Sequence, residues 1–201
     1  MISLFKIHSK NCSVLVSFLH FLRYPTPKKI LDIGISAKVK IVLKLLIIEM
    51  PIMFIILLVV AAFEYLNILP MPDNSLPDLL NRLGLVLILI LGVIVLPGIE
   101  EMIFRSYLVL PKFLNNYVWN KKFGYVFYAS AIIFAGVHVL NFPDETQAIL
   151  FAPIVLVPQF IVGIFAGYLR VKFGIIWGFV FHSIHNLIFL SLFILFDYYK
   201  W

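Results

Sequence analysis

Long apolar runs separated by short polar segments make up most of the chain. None of the runs alternates polar with apolar residues, as the roughly ten-residue strands of a membrane barrel do. Runs of about 20 apolar residues can cross a hydrocarbon core of about 30 Å as helices. The pattern therefore predicts an all-α, polytopic transmembrane bundle of about five spans, at Ile41–Leu69, Leu80–Leu110, Phe123–Leu140, Ala148–Leu169 and Ile175–Phe196.

Residues 1–40 differ from the rest, because basic side chains surround a shorter apolar run, Cys12–Leu22. Such a run, followed by the polar stretch from Arg23 to Lys29, predicts a helix lying in the membrane interface. We therefore divide the chain into a cytoplasmic or interfacial N-terminal segment, 1–40, and one transmembrane domain, 41–201.

The composition is typical of a chain that needs lipid. Hydrophobic residues are 63% of the 201 and charged residues 13%, against roughly 25% charged in soluble domains. The formal net charge of +6 does not indicate a nucleic-acid partner, because the basic residues lie between apolar runs and form no interleaved face. Cys12 is the only cysteine, so an intrachain disulfide is excluded.

Lysine and arginine predict the orientation of the bundle, because cytoplasmic loops are enriched in them. The segment 1–40 carries six lysines and one arginine. Counting spans alternately places the basic loops around residues 112–122 and 170–172 on the same side, and the acidic loops on the other. Only Arg82 and Lys200 lie on the unexpected side. We expect an integral, multi-pass protein with a cytoplasmic N-terminus.

Several polar residues interrupt the second, third and fifth spans. A charged side chain at mid-membrane costs about 2.5 to 3.5 kcal/mol on insertion scales, so such residues usually face the bundle interior and have a function. The set comprises Glu100, Glu101, Arg105, His138, His182, Ser183, His185 and Asn186.

Helical spacing separates two roles within this set. Glu101 and Arg105 are four residues apart and can form an ion pair on one helix face. Glu100 is rotated by about 100° from Glu101, so it needs a partner on another helix. His138, or His182 with Asn186 one turn later, can supply that partner. We interpret Ser183 and His185 as packing or hydrogen-bonding residues.

Proline and glycine add two backbone predictions. Pro97 lacks an amide hydrogen and clashes with the preceding turn, so it should loosen the helix just before the two glutamates. The spacing of Gly163 with Gly167, and of Gly174 with Gly178, favours close approach of neighbouring helices.

Three motifs, in order along the chain, resemble the signatures of the CAAX protease and bacteriocin-processing family, also called the Abi family. They are Glu100-Glu101-x-x-x-Arg105, Phe134-x-x-x-His138 and His182-x-x-x-Asn186. The resemblance covers about Leu91 to Leu190. It implies an intramembrane endopeptidase whose substrate is a peptide or protein at the membrane, and a chain this compact favours a bacterial cytoplasmic membrane.

The resemblance also implies roles for the residues. Glu100 and His138 would activate a water, while His182 and Asn186 would stabilise the oxyanion. Glu101 would support the site through Arg105. No cofactor is required in this interpretation. A zinc ion on Glu100, His138 and His182 is the second choice, because three protein ligands with an open position suit catalytic zinc, although the HExxH spacing is absent.

Other functions could use the same residues. A non-proteolytic protein could bind a metal or haem there, and a scaffold of the bacteriocin-immunity type could hold a partner peptide. A small transporter could carry ions through the intramembrane acids and histidines. Against transport, Glu101 and Arg105 neutralise each other, and the repeated halves typical of transporters are missing.

The depth of His138 adds a constraint. If the third span began near Lys122, His138 would lie about 24 Å along it, whereas His182 lies about 12 Å into the fifth. For both to meet Glu100, the third helix must begin earlier, around Tyr117, or tilt strongly.

Overall fold

The polypeptide is mostly helical over the residues that the computed structural model describes, which are 14–30, 33–68, 80, 82–108, 116–141, 154 and 156–198. No strand occurs in these ranges, so the predicted all-α fold is confirmed. The six helices are α1 (Val14–Arg23), α2 (Ile35–Tyr65), α3 (Leu85–Leu108), α4 (Asn116–Val137), α5 (Val157–Phe173) and α6 (Ile175–Tyr198).

Three of these helices, α2, α3 and α6, are long and apolar enough to cross a membrane, which makes the chain a membrane protein. Helix α4 opens with polar and basic residues, and α5 has only 17 residues. The count of five spans therefore stays a prediction. Most of the predicted acidic loops lie outside the described residues.

The boundaries of the first and fourth spans differ from the sequence prediction. Helix α2 begins at Ile35, so the predicted border at residue 40 falls inside a helix, because the lysines at its start do not interrupt helix formation. Helix α5 begins at Val157 and continues to Phe173, whereas the prediction ended at Leu169.

Helix α5 forms the centre of the bundle. Nearly every residue from Val162 to Lys172 is buried, and the helix contacts both α4 and α6 along its length. A side chain added at Gly163 would lie 3.3 Å from Ala131, and one at Gly167 would lie 3.0 Å from the Phe127 ring. The predicted glycine contact is confirmed: these two glycines let α5 pack directly on α4.

Helix α1 packs on the same centre through aromatic rings. Phe18 lies 4.3 Å from Phe165 and Phe21 lies 5.0 Å from Phe127, measured between ring centroids. The Tyr128 hydroxyl donates to the Leu22 carbonyl at the end of α1. The predicted N-terminal helix is therefore present, and its place in the membrane interface stays a prediction.

Helix α3 contains the irregular turn that Pro97 predicts. An α-helical start, Leu85–Leu89, passes into a π-helical segment, Ile90–Val95, before α-helical geometry resumes at Leu96–Arg105. In a regular α-helix the ring of Pro97 would clash with the backbone carbonyl one turn earlier. The wider π turn relieves this clash. The structure thus confirms the loosened helix just before Glu100.

Helices α5 and α6 meet at a tight turn. Gly174 has a φ of +105°, and its amide donates to the Arg170 carbonyl at the end of α5. One turn into α6, a Cβ atom on Gly178 would lie 2.9 Å from Glu101 Oε2 and 3.0 Å from the Ala166 carbonyl oxygen. Gly178 therefore allows α6 to approach α3 and α5 at the level of the buried carboxylate.

Replacing Gly178 by alanine should destabilise the fold, because the added methyl meets a backbone oxygen that cannot rotate away. We expect a loss of about 1 to 3 kcal/mol, typical of overpacking, seen as a lower thermal unfolding midpoint in detergent. Gly136→Ala is the matched control, since its Cβ would meet nothing within 4 Å and should be neutral or stabilise by up to about 1 kcal/mol. Equal midpoints for the two variants would contradict the close approach.

Candidate active site

The Glu100 carboxylate lies between two imidazole rings that come from two other helices. Glu100 Oε1 is 3.9 Å from Nε2 of His138, which follows α4, and Glu100 Oε2 is 3.5 Å from Nε2 of His182 in α6. The exposed fraction of the side chain is 23% for Glu100, 14% for His138 and 2% for His182. Glu100 and His138 can therefore meet water or substrate, while His182 forms the inner wall.

The orientation of His138 is fixed by its own helix. Nδ1 of His138 lies 2.8 Å from the carbonyl oxygen of Phe134, one turn earlier. Because a carbonyl can only accept, Nδ1 must carry a hydrogen, and the neutral ring then has its lone pair on Nε2. The nitrogen that faces Glu100 is thus the one able to take up a proton.

His182 is held from the opposite side by the second glutamate. Its Nδ1 lies 3.3 Å from Glu101 Oε1, while its Nε2 faces Glu100. A carboxylate behind an imidazole helps to orient the ring. Glu101 therefore touches the candidate site directly as well as through Arg105.

Glu101 and Arg105 form a fully buried ion pair within α3, as their spacing predicts. Both side chains have no exposed surface, and Nη1 of Arg105 bonds Oε1 of Glu101. The guanidinium carbon lies 4.3 Å from the centroid of the Phe134 ring. The same ring meets His138 and His182 edge-on, with centroids 4.9 and 5.5 Å away. Phe134 thus joins the ion pair to both histidines, a role that spacing along α4 did not reveal.

Asn186 lies one turn beyond His182 and bonds the irregular turn of α3. Its Nδ2 donates to the carbonyl oxygen of Gly92, 2.9 Å away. In that turn the Leu96 amide donates to Leu91, and Pro97 has no amide hydrogen to give. The Gly92 carbonyl therefore accepts no backbone hydrogen bond from Leu96 or Pro97. The side chain of Asn186 supplies the missing hydrogen bond.

A second buried acid and imidazole contact lies between α2 and α6. Nδ1 of His185 is 2.7 Å from Oε1 of Glu49, whose side chain has no exposed surface. This polar contact agrees with the interpretation of His185 as a packing or hydrogen-bonding residue, but sequence reasoning did not single out its partner Glu49. The signal was present, since a lone carboxylate inside an apolar span is costly. Ser183 is half-buried, and its hydroxyl has no hydrogen-bond partner among the described residues.

The depth constraint on His138 is met by the length of α4. This helix begins at Asn116, ahead of Tyr117, as the first of the two alternatives requires. His138 follows in a short 3-10 turn, His138–Asn141, at the end of the helix. Three helices, α3, α4 and α6, therefore bring Glu100, His138 and His182 together.

Comparison with known proteins agrees with this arrangement. The family model described as type II CAAX prenyl endopeptidase Rce1-like matches residues 82–188, more than half of the chain. The chain belongs to the Rce1-like family. The matched range contains every candidate site residue from Glu100 to Asn186. Rce1-like membership supports a protease acting on peptides or proteins at the membrane. No match is found among curated proteins or solved structures.

A zinc ion on Glu100, His138 and His182 stays the second choice for this site. Among the described residues, no group of three His, Cys, Asp or Glu side chains is found that could hold a metal ion. We therefore derive no step of the reaction through a metal.

The two adjacent glutamates should differ in their effect on folding. Glu101→Gln leaves the Arg105 guanidinium buried without a carboxylate, and breaking a buried pair in this way costs about 3 to 5 kcal/mol. Glu100→Gln removes only longer contacts of a partly exposed side chain and should cost about 1 kcal/mol or less. The thermal unfolding midpoint and the yield of purified protein measure the loss of stability in each variant. Equal losses would contradict the separate roles.

The bond between Asn186 and Gly92 should depend on Pro97. Asn186→Leu leaves the partly buried Gly92 carbonyl unpaired, at a cost of about 1 kcal/mol. Pro97→Ala restores an amide hydrogen to the turn, so the same Asn186→Leu change should cost less in that background. A double-mutant cycle of unfolding free energies measures the difference, with about 0.5 to 1 kcal/mol of coupling expected. A cycle without coupling would mean that the missing amide hydrogen of Pro97 is not the reason why the Gly92 carbonyl is bonded by Asn186.

Proposed function

We propose that this protein is an intramembrane endopeptidase that hydrolyses peptide bonds of membrane-associated peptides or proteins with a water activated by Glu100 and His138. The observation that supports this most is the contact of one partly exposed carboxylate with two imidazoles from other helices. Such groups are costly in a membrane and are retained mainly where they carry out chemistry.

The first step is attack by water on the scissile carbonyl. A water hydrogen-bonded to Glu100 Oε1 and His138 Nε2 would lie beside both groups, since these atoms are only 3.9 Å apart. Glu100 takes a proton from this water as the oxygen attacks, in the manner of general base catalysis. The carboxylate is suited to the task, because its neighbour Glu101 already neutralises Arg105.

The second step is collapse of the tetrahedral intermediate. The oxyanion of this intermediate formed during the attack of water, and His182 and Asn186 donate to it until the C–N bond breaks; a preorganised donor is worth about 3 to 4 kcal/mol. Asn186 has one amide hydrogen left for this, because the other is bonded to Gly92. Glu100 then passes its proton to the leaving amine, so that the products are a carboxylate and a free amine.

We propose that the substrate reaches the site from the cytoplasmic side. The N-terminal segment carries six lysines and one arginine, and basic segments of this kind are retained in the cytoplasm. We infer an N-terminus in the cytoplasm and a bacterial cytoplasmic membrane, with the peptide entering from the membrane or its cytoplasmic surface.

The test of this function is peptide cleavage by the purified protein in proteoliposomes. Hydrolysis in ¹⁸O-labelled water should introduce the label at new carboxyl termini, detected by mass spectrometry of a peptide library. Glu100→Gln and His138→Gln should each reduce the rate by about 10² to 10⁴-fold, the range of general acid and base catalysis. Glu64→Gln, an exposed acid of α2, is the matched control and should retain full activity.

Three results would contradict the proposal. Folded Glu100→Gln protein with unchanged cleavage would exclude Glu100 as the base. Loss of activity on chelation and its return with zinc would replace the water activation drawn here by a metal. Stoichiometric haem with an intense Soret band and no cleavage in any variant would favour the binding-protein alternative.

A further inference from the structure

A cavity of about 370 Å³ lies at the turn between α5 and α6. Its walls are Arg170 and Phe173 of α5, Lys29 of the N-terminal segment, and the start of α6 as far as Trp177. No acidic side chain of the described residues lines it. The cavity therefore combines two cations with an apolar and aromatic wall.

One hydrogen-bond donor of the Arg170 guanidinium, which lines this cavity, is buried without an acceptor in the part of the chain that the structure describes. Its side chain is only 7% exposed, and its Nε has no hydrogen-bond partner among the described residues. The stem is held against α6, since a Cβ on Gly178 would lie 3.4 Å from Arg170 Cβ. Burying a guanidinium donor without an acceptor is costly, so this geometry calls for an anion.

The beginning of α6 provides further donors at the same place. Helix α6 has 24 residues and starts directly after Gly174, whose positive φ turns the chain sharply from α5 into α6. The first amide groups of a helix have no partner within it and carry the positive end of the helix dipole. Helix starts of this kind bind phosphate groups.

Lys29 is brought to the cavity by a set of bonds across the turn. The Ile30 amide donates to the Lys172 carbonyl at 3.0 Å. The Lys172 ammonium donates to the Lys28 carbonyl at 3.1 Å and to Thr26 Oγ1 at 3.4 Å. These bonds fix residues 26–30 over the end of α5. A third cation lies nearby, since the Lys38 ammonium is 5.9 Å from the Trp177 ring centroid.

We propose that this cavity binds the phosphate of an anionic membrane lipid. Ile176 beside it is 66% exposed and, with the Trp177 ring, offers an apolar surface on which an acyl chain can lie. Aromatic and basic residues together mark the headgroup level of membrane proteins, where each Lys or Arg attracts anionic lipid. This site does not depend on the proposed peptidase function.

The test is a lipid titration of the purified protein in detergent, with bound lipid counted by native mass spectrometry. Phosphatidylglycerol should bind more tightly than phosphatidylcholine with the same acyl chains. Arg170→Gln and Lys29→Gln should each reduce that preference about fivefold, the effect of one charge near a membrane surface. Arg170→Lys should keep most of it. Lys40→Gln, an exposed lysine of α2, removes the same charge and should leave the preference unchanged.

Two results would overturn the proposal. One is that Arg170→Gln and Lys29→Gln weaken the preference no more than Lys40→Gln does. The other is that inorganic phosphate displaces the lipid at equal phosphate concentration, which would make this a site for free phosphate. If Arg170→Gln protein does not fold, the exposed Lys29 still provides the test. Peptide cleavage is not measured, so failure here leaves the peptidase proposal untouched.

Discussion

The buried ion pair between Glu101 and Arg105 is the constraint on which the candidate site depends. Two opposite charges one turn apart on α3 have no exposed surface, so neither tolerates loss of the other. Arg105 lies over the Phe134 ring, and Glu101 reaches His182. Through these contacts the pair fixes α4 and α6 relative to α3, and so determines where both histidines stand beside Glu100.

Adjacent glutamates can serve two purposes because consecutive helical residues point about 100° apart. Glu101 faces the packed interior, where Gly178 leaves just enough room for its second oxygen. Glu100 faces the space between α4 and α6 and keeps 23% of its side chain exposed. This division could be predicted from spacing alone, as could the all-α fold and the need for cross-helix partners, because each follows from local geometry or from the cost of charge in lipid.

Other features could not be predicted, since they depend on partners distant in sequence. Pro97 predicted a loosened helix. A single sequence does not show, however, that the Gly92 carbonyl would accept its hydrogen bond from Asn186, 94 residues later. The contact between Glu49 and His185 joins two spans whose adjacency no periodicity reveals. The central place of α5 was not predictable either, because an apolar composition does not show whether a helix faces lipid or protein, and nearly every residue from Val162 to Lys172 is buried.

Acid and imidazole groups meet in two places among the described residues, around Glu100 and between Glu49 and His185, and these two places differ in exposure. Glu49 and His185 are 2.7 Å apart, yet Glu49 has no exposed surface. No water or peptide can reach a carboxylate so enclosed, and the contact serves to join α2 to α6. Glu100 makes longer contacts, but it remains open on one side. For hydrolysis the open pair is the chemically useful one, because the carboxylate must bind a water before it can deprotonate it.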